Sequence, residues 1–247
     1  MPHMKQNKYD DESFFDNYSK MPRSAEGLNA AGEWYILRKM FPEFKDKNVL
    51  DLGCGYGWHC IYAKEQGAKK VVGIDLSQKM IKKAKENSKD LVIDYRQMAI
   101  EDIDFKPEEF DVVISSLAFH YVKNLKDIFD KINTYIKKGG NFIFSMEHPA
   151  FTSRPEQDWF TDSTGYRLHW PIDNYQDEGI RHTQFLGHEV IKYHRTFETI
   201  VNTLINANFT IKQISEPKPS EEIVEKYPEM IDEARRPIFI LISAVKN

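Results

Sequence analysis

The chain has 247 residues, 41% hydrophobic and 29% charged, which is typical of a globular protein rather than of a disordered one. A formal net charge of −4 gives no global positive field for nucleic acid or an anionic membrane. There is no membrane-spanning apolar stretch, no secretory signal and no disulfide framework, since there are only two cysteines. We therefore expect a cytoplasmic monomer or homodimer that binds no metal, no nucleic acid and no membrane.

Short apolar strands alternate with helices along most of the chain. Strands are predicted at 48–53, 70–75, 91–97, 110–116, 141–147, 209–216 and 235–245. Helices are predicted at 58–68, 77–89, 125–140 and 196–208. This alternation predicts βαβ units, and right-handed crossovers place helices on both faces of a parallel sheet.

The alternation of strands and helices, and the places where it is interrupted, divide the chain into four regions. Aromatic residues crowd among prolines and glycines after the fifth strand, without a long period, which predicts an inserted segment. The predicted regions are an N-terminal helical cap (1–45), the first part of a cofactor-binding core (46–149), a substrate lid (150–193) and the C-terminal part of the core (194–247).

The glycine-rich stretch VLDLGCGYGWHC follows the first strand. Such a turn from a strand into a helix presents backbone N–H groups to a ligand. Gly53 and Gly55 fit the dinucleotide pattern G-x-G-x-x-G, but the position of its third glycine is Trp58, whose indole conflicts with close packing there. Asp51 would repel a pyrophosphate and attract an ammonium group. The pattern therefore favours a cationic, nucleoside-like ligand over a dinucleotide.

A second acid, Asp75, closes the second strand. An acid at this position accepts hydrogen bonds from ribose hydroxyls in related open sheets. Its alternative role, capping the following helix, is weakened because Ser77 already provides the cap. Together with Asp51, Asp75 indicates a site for a ribose and an amino-acid head group.

At this point the sequence resembles the class I S-adenosylmethionine-dependent methyltransferases of the small-molecule type, over roughly residues 45–150 and 193–245. Five motifs in order carry the resemblance: VLDLGCGYGWH, VVGIDLSQKMIKKA, AIEDIDF, FDVVISSLAFHYV and GGNFIFSMEHP. It implies an α/β fold with a doubly wound, Rossmann-like sheet of seven mostly parallel strands and helices on both faces. It also implies an antiparallel last strand, an inserted lid after strand five, and S-adenosylmethionine as cofactor, with S-adenosylhomocysteine as product.

The resemblance also implies which residues contact the cofactor. The implied contacts are Gly53, Cys54 and Gly55 for the methionine part, Asp51 for its amino group, Asp75 for the ribose, Leu76, Met80, Ile100, Glu101 and Asp102 for the adenine side, and Ser115 and Leu117 for the methionine end. The family often has an Asp before the pair 100–101, where this chain has Ala99, so either Glu101 or Asp102 could supply the acid.

Two N-terminal residues are further candidates for the cofactor site. Arg23 could reach the cofactor carboxylate and Tyr18 could cover the cofactor, although ordinary packing within the cap would also explain both.

Two histidines are candidate catalytic residues because they follow strands four and five. His120 could act as a general base, line the pocket or serve a structural role. His148 could contact the substrate or act as a base. A sulfonium is already an activated leaving group, so a base is needed only if the acceptor must lose a proton.

The sequence therefore predicts methyl transfer by in-line displacement. Seven acidic residues outnumber five basic ones at 150–195, and with the aromatics there they suit a small apolar, aromatic or cationic acceptor. The alternatives are a non-catalytic sensor of S-adenosylmethionine or S-adenosylhomocysteine, and a methyltransferase acting on protein or RNA, although the lack of a basic stripe argues against RNA. An NAD-dependent oxidoreductase is more distant, because of Trp58 and Asp51.

Overall fold

The computed structural model describes residues 5–247, so the first four residues of the predicted N-terminal cap lie outside the described residues. The strands in that range are β1 (Asn48–Leu52), β2 (Lys70–Asp75), β3 (Asp94–Gln97), β4 (Phe110–Ser116), β5 (Ile136–Glu147), β6 (Phe160–Thr161), β7 (Arg167–His169), β8 (Gly179–Phe185), β9 (His188–His194), β10 (Phe209–Ser215) and β11 (Phe239–Lys246).

The helices over the same residues are α1 (Glu12–Ser19), α2 (Pro22–Ala25), α3 (Trp34–Met40), α4 (Trp58–Glu65), α5 (Gln78–Asn87), α6 (Leu125–Tyr135), α7 (Pro149–Thr152), α8 (Phe197–Asn206) and α9 (Glu221–Lys226). Short 3-10 turns occur at Lys8–Asp10, Gly27–Ala30, Ile100–Asp102, Phe119–Tyr121 and Pro228–Arg235. Between residues 5 and 247, no helix has the length and hydrophobicity that crossing a bilayer requires.

Seven strands form one sheet in the order β10-β11-β5-β4-β1-β2-β3. Strands β1 to β5 run parallel, and β11 is antiparallel to both β5 and β10. The predicted doubly wound fold with an antiparallel last strand is confirmed. The strand order reverses between β1 and β4, and open sheets of this kind bind ligands at the carboxyl ends of the strands beside such a reversal.

Strand β1 shows how the sheet separates two cores. Side chains alternate along a strand, so Leu50 and Leu52 face one side and Val49 faces the other. Leu50 and Leu52 join an apolar cluster that includes residues of α6 and α8. Val49 joins a second cluster that includes residues of α3, α4 and α5. The side chain of Asp51 therefore points to the α4 side at the end of the strand.

Several predicted boundaries are wrong, among them the start of the last strand, which is Phe239 rather than residue 235. The helix predicted at 125–140 ends at Tyr135, and the two glycines predicted to end it lie inside β5 instead. Phe110 pairs with Ile136 but Val112 already pairs with Asn141, so the extra residues bulge out of the sheet. The third strand is also shorter than predicted, since β3 covers only Asp94–Gln97.

The segment predicted as the lid contains more regular structure than its sequence indicated. It holds α7 and two antiparallel hairpins, β6–β7 and β8–β9. Leu186 and Gly187 join β8 to β9, with φ of 53° and 82°, as in the tight two-residue turns of hairpins. Strand β9 runs through His194, one residue beyond the predicted end of the lid.

Candidate functional site

The glycine loop after β1 is tied to the end of β2. The backbone N–H groups of Gly53 and Cys54 both donate to the carbonyl of Ile74, at 2.9 and 2.8 Å. The N–H of Gly55 donates to Oδ2 of Asp75 at 2.9 Å. The ends of β1 and β2 are thereby held as one rigid rim, which brings the two predicted acids, Asp51 and Asp75, to the same end of the sheet.

Close packing explains two of the three loop glycines. A Cβ on Gly53 would lie 2.6 Å from the Cβ of Ala118, and one on Gly57 would clash with the hydroxyl of Tyr95. Gly55 differs, because a Cβ built there meets no heavy atom within 4 Å, although its φ is 53°. The backbone at Gly55 therefore borders an open space, called the cradle below, which a side chain at this position would enter.

Asp51 is buried at the base of this cradle, with 1% of its surface exposed. Its Oδ2 accepts a hydrogen bond from the Cys60 thiol at 3.2 Å, but its Oδ1 has no partner among residues 5–247. Burial raises the pKa of Asp51 to about 7. A buried carboxylate oxygen without a donor is costly, and a ligand ammonium group would supply both the donor and a positive charge.

Asp75 lies at the rim, half-buried, and accepts two backbone hydrogen bonds, from Gly55 and, through Oδ1, from Ser77 at 2.9 Å. Burial raises the pKa of Asp75 to about 6, although these hydrogen bonds act in the opposite direction. Asp10 accepts hydrogen bonds from the Ser77 hydroxyl and from the N–H groups of Gln78 and Lys79, so it caps α5 beside Asp75. Sequence reasoning missed this contact, because nothing local to Asp10 indicates a partner so distant in sequence.

The residues predicted on the adenine side do not share one environment. Leu76 is half-buried next to Asp75, whereas Met80 is 2% exposed within the core. Ile100 is buried at the start of a 3-10 turn, Glu101 is half-buried, and Asp102 is exposed and paired with Lys5. Of the two acids proposed for this edge, Glu101 is therefore the less exposed one and Asp102 already has a cationic partner.

The end of β4 contributes Ser115 and Leu117. Ser115 is fully buried and donates its hydroxyl to the carbonyl of Leu52 at 2.8 Å, which fastens β4 to β1. Leu117 has a φ of 54°, uncommon for a leucine, and its N–H is held by the backbone oxygen and hydroxyl of Ser145. Backbone strain of this kind gathers at functional sites.

The N-terminal segment supplies an aromatic cluster near the rim. Tyr18 packs edge-on against Tyr9 and Tyr56, with ring centroids 5.2 and 5.7 Å apart. Burial raises the pKa of Tyr18. The guanidinium of Arg23 is paired with the buried carboxylate of Glu33, so its charge is already matched. Sequence reasoning singled out Tyr18 and Arg23 but missed Tyr9, Tyr56 and Glu33.

His120 lies at the end of β4 with 2% of its surface exposed. Its Nδ1 accepts the backbone N–H of Glu147 at 3.3 Å, and its Nε2 is 3.9 Å from Oε1 of the same residue. Burial lowers the pKa of His120 to about 4. The ring is therefore neutral near pH 7 and carries its proton on Nε2, which makes it a hydrogen-bond donor rather than a free base.

Glu147 is the centre of a buried polar cluster that also includes Lys192 and Gln157 of the lid. Lys192 donates to Oε1 of Glu147 at 2.6 Å and to Oε1 of Gln157 at 2.9 Å. Burial alone would raise the pKa of Glu147, but His120 and Lys192 outweigh it and hold that pKa below its ordinary value. The cluster joins the lid to the end of β5, and the sequence had not indicated the part played by Lys192.

His148, the other candidate catalytic residue, caps α7. Its Nδ1 accepts the N–H of Ala150 at 3.0 Å, and its Nε2 lies 2.7 Å from Oε1 of Glu216. Burial lowers the pKa of His148, against the effect of Glu216. Nδ1 therefore serves the capping role, whereas Nε2 makes no hydrogen bond among residues 5–247 despite its approach to Glu216, and the catalytic role stays a prediction.

These residues fit S-adenosylmethionine. The unpartnered Oδ1 of Asp51 suits an amino group, the open backbone at Gly55 suits a chain lying along it, and Asp75 stands where ribose hydroxyls would be held. No group of three or more metal-ligating side chains occurs between residues 5 and 247.

The chain matches the model of a methyltransferase domain over residues 50–144. A protein of Haemophilus influenzae is 34% identical to it over 245 residues, which are 96% of each chain. This similarity therefore includes the N-terminal segment and the lid.

Two solved structures are also similar. One comes from Listeria monocytogenes and is assigned to the S-adenosylmethionine-dependent methyltransferases; it has a TM-score of 0.85 and 53% identity, and the match covers 90% of this chain and 99% of that one. The other is an S-adenosylmethionine-dependent methyltransferase from Mesorhizobium loti, with a TM-score of 0.82 and 39% identity over 89% of this chain and 100% of that one.

Proposed function

The chain belongs to the S-adenosylmethionine-dependent methyltransferases, and on that premise we propose that its methyl acceptor is a small apolar, aromatic or cationic molecule. The acceptor binds at the ends of β4 and β5, beneath the lid. In this proposal the core regions 46–149 and 194–247 hold the cofactor, while the segment 150–193 encloses the acceptor and the N-terminal segment covers the cofactor side.

The closure of the lid is the observation that carries the proposal. Lys192 reaches from β9 to Glu147, and Arg195 donates hydrogen bonds to the carbonyls of Val122 and Lys123 after β4. His120, at the centre of this region, is almost fully buried. A region covered by such contacts favours a ligand small enough to be surrounded over a folded protein or an RNA duplex.

Bound S-adenosylmethionine supplies a methyl group on a sulfonium, which needs no further activation. The protein's own task is to position the acceptor and exclude water. Neutral His120 keeps its proton on Nε2 and offers a donor, while Glu147, whose charge is matched by Lys192, holds the backbone and side chains around this histidine in place. Because Nδ1 of His120 accepts a backbone hydrogen bond, we assign this histidine to positioning rather than to proton removal.

On the cofactor side we assign the amino group to Asp51, the ribose to Asp75 and the methionine chain to the backbone of residues 53–55. The adenine lies beside Leu76 and Ile100, with Glu101 at its edge. These assignments rest on the fit described above and on the resemblance to the family.

The test uses S-adenosylmethionine with a labelled methyl group and a cell extract separated into small molecules, proteins and tRNA. We expect label in a small molecule that chromatography resolves from S-adenosylmethionine and that does not form without the protein, and binding of S-adenosylhomocysteine but not NAD by calorimetry. Label in protein or tRNA would contradict the proposed acceptor class. Binding of S-adenosylhomocysteine with no newly labelled compound in any fraction would favour a sensor.

A further inference from the structure

A cavity of about 320 Å³ lies between α7, the lid and residues 235–237. Its walls include Trp159 and Trp170 of the lid, together with Arg235 and Arg236, which precede β11. Cavities that bind small ligands begin at roughly this size. The cavity is not lined by His120, by Glu147 or by any residue assigned above to the cofactor.

Arg236 is the unusual residue of this cavity. Its side chain is 7% exposed, and its Cζ lies 3.9 Å from the ring centroid of Trp170 and 4.7 Å from that of Phe151. Its Nη2 is 2.9 Å from Oε2 of Glu233, but Nε and Nη1 have no acceptor among residues 5–247. Burial lowers the pKa of Arg236. A buried guanidinium with two unpaired nitrogens is costly unless an acceptor reaches it.

The charge of the walls has one sign. Arg235 and Arg236 line the cavity, and no acidic side chain of the described residues does so. Asp232 and Glu233 each pair with one of these arginines, but neither lines the cavity. The occupant that this arrangement favours carries a negative charge, and a carboxylate matches the fork of a guanidinium.

The shape of the walls favours a flat ligand. The rings of Trp159 and Trp170 lie 5.4 Å apart at 83°, so they form two perpendicular apolar surfaces. Arg235 stacks on Trp159, with its Cζ 4.6 Å from the ring centroid. Phe151 stacks on Trp170, with ring centroids 5.2 Å apart at 10°, so a ligand ring would pack against the edge of that indole or against Trp159 while its charged group stays near the arginines.

We propose that this cavity is a binding site for a small aromatic carboxylate. The site adjoins the cluster of Glu147 and Lys192, because the ring centroid of Phe151 lies 4.7 Å from Cζ of Arg236 and 5.8 Å from Nζ of Lys192, but it does not rest on the function proposed above. Trp170 also donates a hydrogen bond to the carbonyl of Ala150 at 3.0 Å, so a bound ligand would contact a side chain that joins the lid to α7.

The test is calorimetric titration of the full chain with benzoate and with benzamide, its neutral analogue. We expect benzoate to bind, and benzamide to bind at least about tenfold more weakly, since a charge-assisted pair is lost. Equal affinity for the two, or no binding of benzoate in the millimolar range, would overturn the proposal.

Variants locate the binding. Arg236→Lys keeps the charge but loses the planar fork, and we expect about tenfold weaker benzoate binding. Arg154→Lys is the matched control, because Arg154 pairs with Glu156 and Asp158 elsewhere on the lid; benzoate affinity should not change. Should Arg236→Lys not fold, Arg235→Gln at the more exposed wall should still weaken binding about threefold. Benzoate binding that neither cavity variant weakens would place it elsewhere and contradict the proposal.

Discussion

The cofactor rim (residues 48–57 and 70–77) and the lid (150–193) are held in place by different kinds of contact. The rim is fixed by backbone hydrogen bonds from Gly53 and Cys54 to Ile74 and by glycines that allow close approach. It is also fixed by the bond from the N–H of Gly55 to the carboxylate of Asp75, 20 residues apart. The lid is fixed by side chains that join distant parts of the chain. Lys192 and Glu147 are 45 residues apart, and Gln6 and Ile191 are 185 apart. The rim is therefore set by local sequence, and the lid by tertiary contacts.

The largest effect is expected where a buried charge loses its partner. Lys192→Met leaves the carboxylate of Glu147 buried without its cation, and we expect unfolding free energy to fall by about 3 kcal/mol in urea titrations. Lys126→Met is the control, because Lys126 and Asp130 form an exposed pair, and its cost should stay below about 1 kcal/mol.

The double variant Glu147→Gln/Lys192→Met should recover much of this loss, since no uncompensated charge remains. Affinity for S-adenosylhomocysteine should stay within about twofold in all these variants, because neither residue is at the rim. A marked loss of affinity in Lys192→Met would show that the rim and the lid are not independent.

The loop glycines offer a comparison within the rim. Gly57→Ala places a methyl group against Tyr95 at a φ of 79°, and we expect a loss of about 3 kcal/mol of stability. Gly55→Ala places its methyl group in open space, so it should cost only about 1 kcal/mol but weaken S-adenosylhomocysteine binding by more than about tenfold. Melting curves measure the stability of both variants, and calorimetry measures their affinity for S-adenosylhomocysteine. If the two variants lose stability and affinity to the same extent, the ligand does not lie against Gly55.

Asp75→Ala removes the carboxylate assigned to the ribose, and we expect affinity for S-adenosylhomocysteine to fall about a hundredfold. The affinity of Asp75→Asn, which keeps an acceptor oxygen, should lie between those of Asp75→Ala and the wild type. Asp94→Ala is the control, because Asp94 is exposed on β3 and pairs with Arg96. If Asp75→Ala and Asp94→Ala bind alike in calorimetric titration, the ribose assignment is wrong.

The same contrast explains what the sequence could predict. The alternation of strands and helices predicted a parallel core sheet, and the resemblance to the family implied its antiparallel last strand. Asp51 and Asp75 stood out because glycines and strand ends mark them. Asp10 and Lys192 could not be found this way, because each acts on a partner brought close only by the fold. The bulge at Gly139 and Gly140 was misread as a helix end, since glycines serve both purposes.

Asp51, which we assign to the amino group of the cofactor, also lowers the stability of the folded chain. Burial raises its pKa in the folded state to about 7, whereas the unfolded value is about 4. Between these values the folded state keeps a proton that the unfolded state releases, so this group's contribution to stability falls as pH rises from 4 to 7 and stays low above 7. Asp51→Asn removes that dependence.

We therefore expect Asp51→Asn to match the wild type near pH 4 and to exceed its unfolding free energy by a growing margin as the pH rises to 8, measured by denaturant titration. In the wild type, affinity for S-adenosylhomocysteine should rise from pH 6 to 8 as the carboxylate ionises. In the variant it should be weaker and change less with pH. If the unfolding free energies of Asp51→Asn and the wild type change with pH in parallel, the raised pKa is contradicted. If Asp51→Asn binds S-adenosylhomocysteine as tightly as the wild type at pH 8, Asp51 does not belong to the cofactor site.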